Sequence, residues 1–205
     1  MSDRKEHWEK VFATKQENEV SWYQPVPHTS LQLFKDHNIP KSARIIDVGG
    51  GDSYLIDHLL ELGYTHLTLL DISEHAINRI KARLGDKAAS VTFIVSDILD
   101  FQPDAPFEVW HDRASFHFLT SEEEITKYKS IVSSTIVEDG LLFIGTFSDE
   151  GPLKCSGLEI KQYTEDRFTT LFLPQFENLN CFKEDHLTPF DTSQNFIFCS
   201  FKKKN

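Results

Sequence analysis

Apolar and polar positions along the chain alternate between strand-like and helix-like periods. Short apolar runs at 44–49, 66–72, 91–96 and 107–112 read as buried strands, and helical spacing at 53–62 and 74–84 predicts helices between the first three. Upstream, residues 4–14 place Trp8, Val11 and Phe12 on one helical face, and 29–38 predict a second short helix. The segment from Val20 to Pro27 between them carries prolines that stop a helix. A short Pro-containing segment, Asp100 to Pro106, joins the third strand to the fourth. Thr120 with Glu123 has capping-box spacing and opens a helix that runs to about Ile136. Leu141 to Phe147 reads as a buried strand. A Gly/Pro loop, a helix near 164–173 and strands near 176–184 and 195–202 follow, with a turn at Asp191-Thr-Ser-Gln. Neither repeats nor a linker interrupt this order, so the pattern predicts one α/β domain over 1–205, doubly wound, with a mostly parallel sheet covered on both faces. The last two strands, joined by a short turn, predict an antiparallel pair.

The first strand breaks into three glycines, in Arg44-Ile-Ile-Asp-Val-Gly-Gly-Gly-Asp-Ser53. There the backbone can approach a ligand with no Cβ in the way. Ser53 is placed to cap the next helix, whose Leu55, Ile56, Leu59, Leu60 and Leu62 form one broad apolar face. Asp71 ends the second strand, 20 positions after Gly51, a separation suited to holding ribose hydroxyls in a strand-turn-helix nucleotide site. A nicotinamide dinucleotide fits poorly. Its fingerprint needs a third glycine where Tyr54 stands, and Asp47, two residues before Gly49, would repel a pyrophosphate. S-adenosylmethionine has no phosphate, and its ammonium and sulfonium would attract that carboxylate.

Asp-x-Gly-x-Gly with an acid after the second strand resembles the first two motifs of class I S-adenosylmethionine-dependent methyltransferases, with Ser53 in place of a third small glycine. The resemblance implies a Rossmann-like core over 41–205, a cap over 1–40, and a seven-stranded sheet whose last strand runs against the rest. It implies that Asp47, Gly49 and Gly51 border the amino-acid end of the cofactor, with the helix start after the glycines tolerating the methionine carboxylate. Asp71 would accept from both ribose hydroxyls. Ile72 would pack on the adenine face, with Asp97 at the adenine edge and Ile98 flanking the ring.

The segment Val109-Trp-His-Asp-Arg-Ala-Ser-Phe-His-Phe-Leu119 leaves the fourth strand at its carboxyl end, where ligands bind in open α/β sheets. It clusters His111, Asp112, Arg113 and His117. Asp-Arg-Ala-Ser-Phe resembles a stretch of the thiopurine-type and methyltransferase-like protein-lysine enzymes that borders the methionine end and the acceptor. On that basis Asp112 is expected at the cofactor, and Asp112, His117 and His111 are the catalytic candidates, with His117 a general base. Trp22, beside Tyr23 in the Pro-rich loop, is expected to close over the sulfonium; a cation–π contact there would contribute roughly 0.5–2 kcal/mol. The Gly145–Gly157 segment is expected to wall the acceptor pocket.

Charge narrows the partners. Against 21 basic residues stand 32 acidic ones, a net charge of −11, which disfavours nucleic acid. No apolar stretch reaches membrane-span length, and the opening Met-Ser-Asp-Arg-Lys-Glu-His lacks an apolar leader region. Cys155, Cys181 and Cys199 are odd in number and widely spaced, which argues against a disulfide framework and for a reducing, cytoplasmic setting. No zinc-like spacing is present, so no metal is expected. The expected activity is methyl transfer from S-adenosylmethionine, leaving S-adenosyl-L-homocysteine, to a small-molecule acceptor. A protein-lysine acceptor and a noncatalytic cofactor-binding subunit are the alternatives, and oligomeric state is not legible. Titration should show S-adenosylmethionine and S-adenosylhomocysteine binding while NAD and NADP do not; tight NAD binding would refute the cofactor assignment.

Overall fold

The computed structural model of the protein describes residues 3–205; Met1 and Ser2 of the leader reading lie outside it. Helices α1 (Asp3–Thr14) and α2 (His28–Asp36) precede β1 (Arg44–Val48), α3 (Leu55–Glu61), β2 (His66–Asp71), α4 (Glu74–Leu84), β3 (Val91–Val95) and β4 (Phe107–Arg113). Then come α5 (Glu122–Thr135), β5 (Ile136–Phe147), the short pair β6 (Lys154–Cys155) and β7 (Leu158–Glu159), α6 (Glu165–Phe172), β8 (Phe176–Leu187) and β9 (Ser193–Lys203). Seven strands form one sheet in the order β3-β2-β1-β4-β5-β9-β8. β9 inserts antiparallel between β5 and β8, and β1 to β5 pair in parallel. This is the Rossmann-like methyltransferase sheet, with its reversed last strand.

Strand periodicity sorts side chains onto two faces. Ile45, Leu67, Leu69, Val109 and Phe143 bury against Leu33 and Phe34 of α2, Leu55, Ile56 and Leu59 of α3, and Ile77 and Ile80 of α4. Ile46, Val48, Trp110, Leu142 and Ile144 bury on the other face against Ile125, Tyr128 and Val132 of α5 and Phe168 and Phe172 of α6. Both faces are apolar because helices cover both, which is why β1, β2 and β5 read as continuous apolar runs.

Four expectations need correction. Tyr54, not Ser53, occupies the N-cap of α3, and Ser53 Oγ accepts only a long 3.5 Å bond from the Leu55 N–H. α5 starts one residue later than Thr120–Glu123 spacing suggests. Ser121 Oγ accepts the Glu124 N–H, and the Glu124 carboxylate accepts the Ser121 N–H. β5 begins directly after α5, and between the pairs Phe107–Ile136 and Val109–Leu141 its residues Val137 to Gly140 stand opposite Glu108 alone. Finally, Cys181 and Cys199 are joined as a disulfide. They stand directly opposed in the β8–β9 ladder with Cα atoms 4.2 Å apart, so their wide sequence spacing hides spatial adjacency. Cys155 is free and buried, and burial pushes its thiol up to about 11. Among the described residues no helix is long and apolar enough to cross a membrane.

One carboxylate ties α1 to the start of α4. Glu9 accepts the Ser73 hydroxyl at 2.8 Å and the N–H groups of Glu74 and His75 at 3.0 and 3.1 Å, at the exposed start of α4. An anion there meets the positive helix end. Desolvation acts against the charge, but these bonds prevail and hold Glu9 down to about 2. A depressed carboxyl contributes stability above its ordinary pKa and loses it as pH falls toward the depressed one. Glu9→Gln should therefore lower stability by about 1 kcal/mol at neutral pH, roughly 2–4 °C in Tm for a chain of this size. The difference from wild type should shrink as pH drops below about 4.5; a pH-independent difference in thermal melts would contradict this role.

Candidate functional site

Between β1 and β4 the sheet order reverses direction, and there the strand ends open a crevice. One cavity fills it. Its empty space, mouth included, is about 1160 Å³, bounded by the glycine turn, the ends of β1, β2 and β4, the loop after β3, Ser30 of α2, the 20–27 loop and α1. Asp47, Gly49, Gly51, Asp71, Ile72, Asp97, Ile98, Trp22 and His111 all line it. Asp112 and His117 do not.

The glycine turn is sterically required. Gly49 has φ +62°, and a Cβ there would lie 2.4 Å from the Ser115 Cβ. Gly51 has φ +55° and donates its N–H to Asp71 Oδ2 at 2.8 Å. At Gly50 a Cβ would sit 2.6 Å from Asp47 Oδ2. That oxygen is buried and has no protein partner. Asp47's other oxygen, Oδ1, is 2.7 Å from His111 Nδ1, because the parallel register sets Asp47 directly opposite His111.

Asp71 closes the other half of the cavity. Its oxygens accept the N–H groups of Gly51 and Ser73, both at 2.8 Å. Desolvation pushes its carboxyl up to about 7, with the two N–H groups pulling the other way. Asp97 accepts the Leu99 N–H at 2.9 Å and lies 3.5 Å from the Arg4 guanidinium, which α1 brings to the cavity. α1 also roofs the turn: the Phe12 ring would stand 3.0 Å from a Cβ on Gly51. Trp22 packs on Trp8 and Phe12, with ring centroids 5.7 and 6.4 Å apart.

Arg113 holds a feature that sequence spacing did not single out. Its Nη1 donates to the Trp22 carbonyl at 3.1 Å, while buried Nε and Nη2 have no partner. Its guanidinium lies 5.1 Å from the Phe196 ring centroid. Burial lowers its pKa to about 10, so it keeps its charge at neutral pH. Ser30, Arg4, Trp8 and Phe12 were likewise unmarked, since ordinary residues on two amphipathic helices reveal nothing of what folds over a distant turn.

Two catalytic candidates fall elsewhere. Asp112 follows His111 and so points to the opposite face, where it accepts the Tyr128 hydroxyl at 2.7 Å and the N–H groups of Ser115 and Phe116 at 3.2 and 3.1 Å. It is fully buried, and desolvation raises it to about 6. Its contacts hold the 115–118 turn, not a ligand. His117 is fully buried and stacks on Phe147 at 4.5 Å, with Nδ1 2.9 Å from Thr146 Oγ1. Burial, with Arg113 nearby, pushes it down to about 3, and it does not line the cavity, so its placement does not suit a general base. The Gly145–Gly157 segment contributes no residue to the cavity either; it carries the β6–β7 pair instead. Among the described residues no group of His, Cys, Asp and Glu is arranged to hold a metal.

The cavity lining thus includes Asp47 and Arg113, each with a buried polar atom that has no protein partner, and Asp71, whose two carboxylate oxygens accept backbone N–H groups. Those donors and acceptors fit the zwitterionic and ribose ends of S-adenosylmethionine. Residues 45–135 match a family model described as a methyltransferase domain. Over 123 residues the chain is 31% identical to the eEF1A lysine and N-terminal methyltransferase of Mus musculus, a match covering 59% of this chain. The chain spans only 17% of that relative's length. It superimposes at TM-score 0.78 and 16% identity, over 98% of itself and 93% of the other chain, on a protein from the conversion of a disulfide bond into a thioacetal group during echinomycin biosynthesis. It also superimposes at TM-score 0.69 and 18% identity, over 87% and 78%, on Burkholderia thailandensis 1,6-didemethyltoxoflavin-N1-methyltransferase with bound 1,6-didemethyltoxoflavin and S-adenosylhomocysteine. Residues 45–135 thus match a methyltransferase domain, and the fold of the chain is that of class I, S-adenosylmethionine-dependent methyltransferases.

In the ribose role expected of it Asp71 must be ionised to take two hydroxyl hydrogens, and burial pushes its carboxyl up to about 7. Affinity for S-adenosylhomocysteine should therefore fall as pH drops, by about tenfold from its high-pH limit at pH 6, where only about a tenth of the carboxyl is ionised. Calorimetry across pH 6–8 checks this; the dependence should disappear in Asp71→Asn, and a flat wild-type profile would contradict the assignment.

Proposed function

We propose that the chain transfers the methyl group of S-adenosylmethionine to a small-molecule acceptor. The observation that carries the reading is the pairing, in one cavity, of the partnerless Asp47 Oδ2 with the partnerless Nε and Nη2 of Arg113. Two residues of opposite charge that line one cavity, each with a buried polar atom lacking a protein partner, suit a ligand that carries both signs. Asp47 takes the cofactor's ammonium and Arg113 its carboxylate. This moves the carboxylate away from the start of α3, which is a single short helix of 7 residues. Asp71 takes the ribose hydroxyls, Asp97 the adenine amino edge, and Ile72 and Ile98 the ring faces, while Gly49 and Gly51 leave room for the chain between.

When bound, the cofactor supplies a methyl group already activated by a sulfonium charge. The protein's part is to hold the donor in line with the acceptor and keep water out. Trp8, Phe12, Trp22 and Phe118 form the aromatic roof that does this, with Trp22 near the methionine end through its contact with Arg113. The roof encloses the cavity, which favours an acceptor small enough to pass beneath it. The named activities of the whole-chain structural neighbours, on small molecules, agree with that.

A protein-lysine acceptor is the second reading, favoured by the 31% identity to the eEF1A methyltransferase. A screen with labelled cofactor against thiols, carboxylates, amines and lysate proteins decides between them. Label should appear in the small-molecule fraction; label confined to protein would reverse the order. Asp47→Asn should weaken S-adenosylhomocysteine binding by about tenfold to a hundredfold, the worth of one charge-assisted hydrogen bond. Unchanged affinity would refute its role.

A further inference from the structure

Asp47 is not held alone. Its Oδ1 lies 2.7 Å from His111 Nδ1, and His111 Nε2 lies 2.9 Å from Ser30 Oγ. Ser30, His111 and Asp47 are 1%, 3% and 2% exposed, and all three line the cavity. They come from α2, β4 and β1, three separate elements.

The chain of bonds has a direction. A carboxylate accepts only, so His111 Nδ1 must donate to Asp47. In the neutral ring Nε2 then carries a lone pair, and Ser30 must donate to it. Ser30's single hydrogen is thereby spent inside the wall. Asp47 Oδ2, buried and without a protein partner, is left as a bare acceptor. It suits a group with several N–H donors and no lone pair, which describes the α-ammonium of an amino acid.

We propose that Ser30 and His111 are positioning residues that hold the His111 ring against Asp47, fix the orientation of its free oxygen, and so confer preference for a cofactor bearing an intact α-amino group. The proposal rests on the S-adenosylmethionine reading of the cavity. Neither residue touches the reacting methyl. Removing the serine hydroxyl leaves Nε2 without its donor, loosens the ring, and with it the carboxylate the ring orients.

Two ligands separate this role from general damage. S-adenosylhomocysteine carries the amino acid; 5′-methylthioadenosine shares its adenosine and thioether and lacks the amino acid. By calorimetry the wild type should prefer the former. Ser30→Ala should lower affinity for S-adenosylhomocysteine by about tenfold, the factor one hydrogen bond is worth, and leave methylthioadenosine unchanged. His111→Asn, whose amide can donate from near the Nδ1 position, should retain more of the preference than His111→Gln. Nitrogen-15 spectra should place the His111 proton on Nδ1. Equal loss for both ligands, no loss in Ser30→Ala, an inverted Asn/Gln order, or a proton on Nε2 would each overturn the proposal. A wild type that fails to bind S-adenosylhomocysteine would instead overturn the cofactor reading beneath it.

Discussion

A carboxylate buried at 2% exposure with one oxygen unpartnered is a costly arrangement, and the site is organised around it. Asp47 cannot be moved to solvent, because it sits in a central strand flanked on both sides by parallel partners. It cannot be shielded by a side chain from the turn, because at Gly50 a Cβ would stand 2.6 Å from it. What remains is partial compensation through His111, and a vacancy in its hydrogen bonding that a cation can complete. The glycine turn, the strand register and the fold of α2 over β1 all serve to hold that charge in place.

The same strand that supplies the compensation separates two chemistries. Side chains alternate along β4, so His111 faces α2 and the cavity while Asp112 faces α5 and Tyr128. Two adjacent titratable residues thereby take different tasks. One lines the cavity. The other fixes the turn that follows, and that turn brings Ser115 against Gly49. Arg113, one step further, returns to the cavity as a buried cation.

Much of this was legible in the residues. The glycine break, Asp47 before it and Asp71 after β2 are local in sequence, and the constraints they answer to are local as well. The parallel sheet followed from apolar runs that only two-sided burial explains. The misreadings share a cause. His117 and Asp112 were grouped with His111 by adjacency along the chain, whereas direction off the strand decides their surroundings. Ser30, Arg4 and Phe12 reach the cavity by the docking of α1 and α2, and Cys181 reaches Cys199 by hairpin register; neither leaves a signature in spacing. The cap shift from Thr120 to Ser121 is a choice between two adjacent hydroxyls, which propensity alone does not settle.

The central claim is an orientation: the amino-acid end of the cofactor lies at Asp47 and Arg113, and its ribose at Asp71. A crystal structure of the protein with S-adenosylhomocysteine tests it most directly. The ligand's amino nitrogen should stand within hydrogen-bond distance of Asp47 Oδ2, its carboxylate against Arg113 Nε or Nη2, and its ribose hydroxyls against Asp71. A ligand bound with its amino group turned away from Asp47, or with the two ends exchanged, would contradict the account.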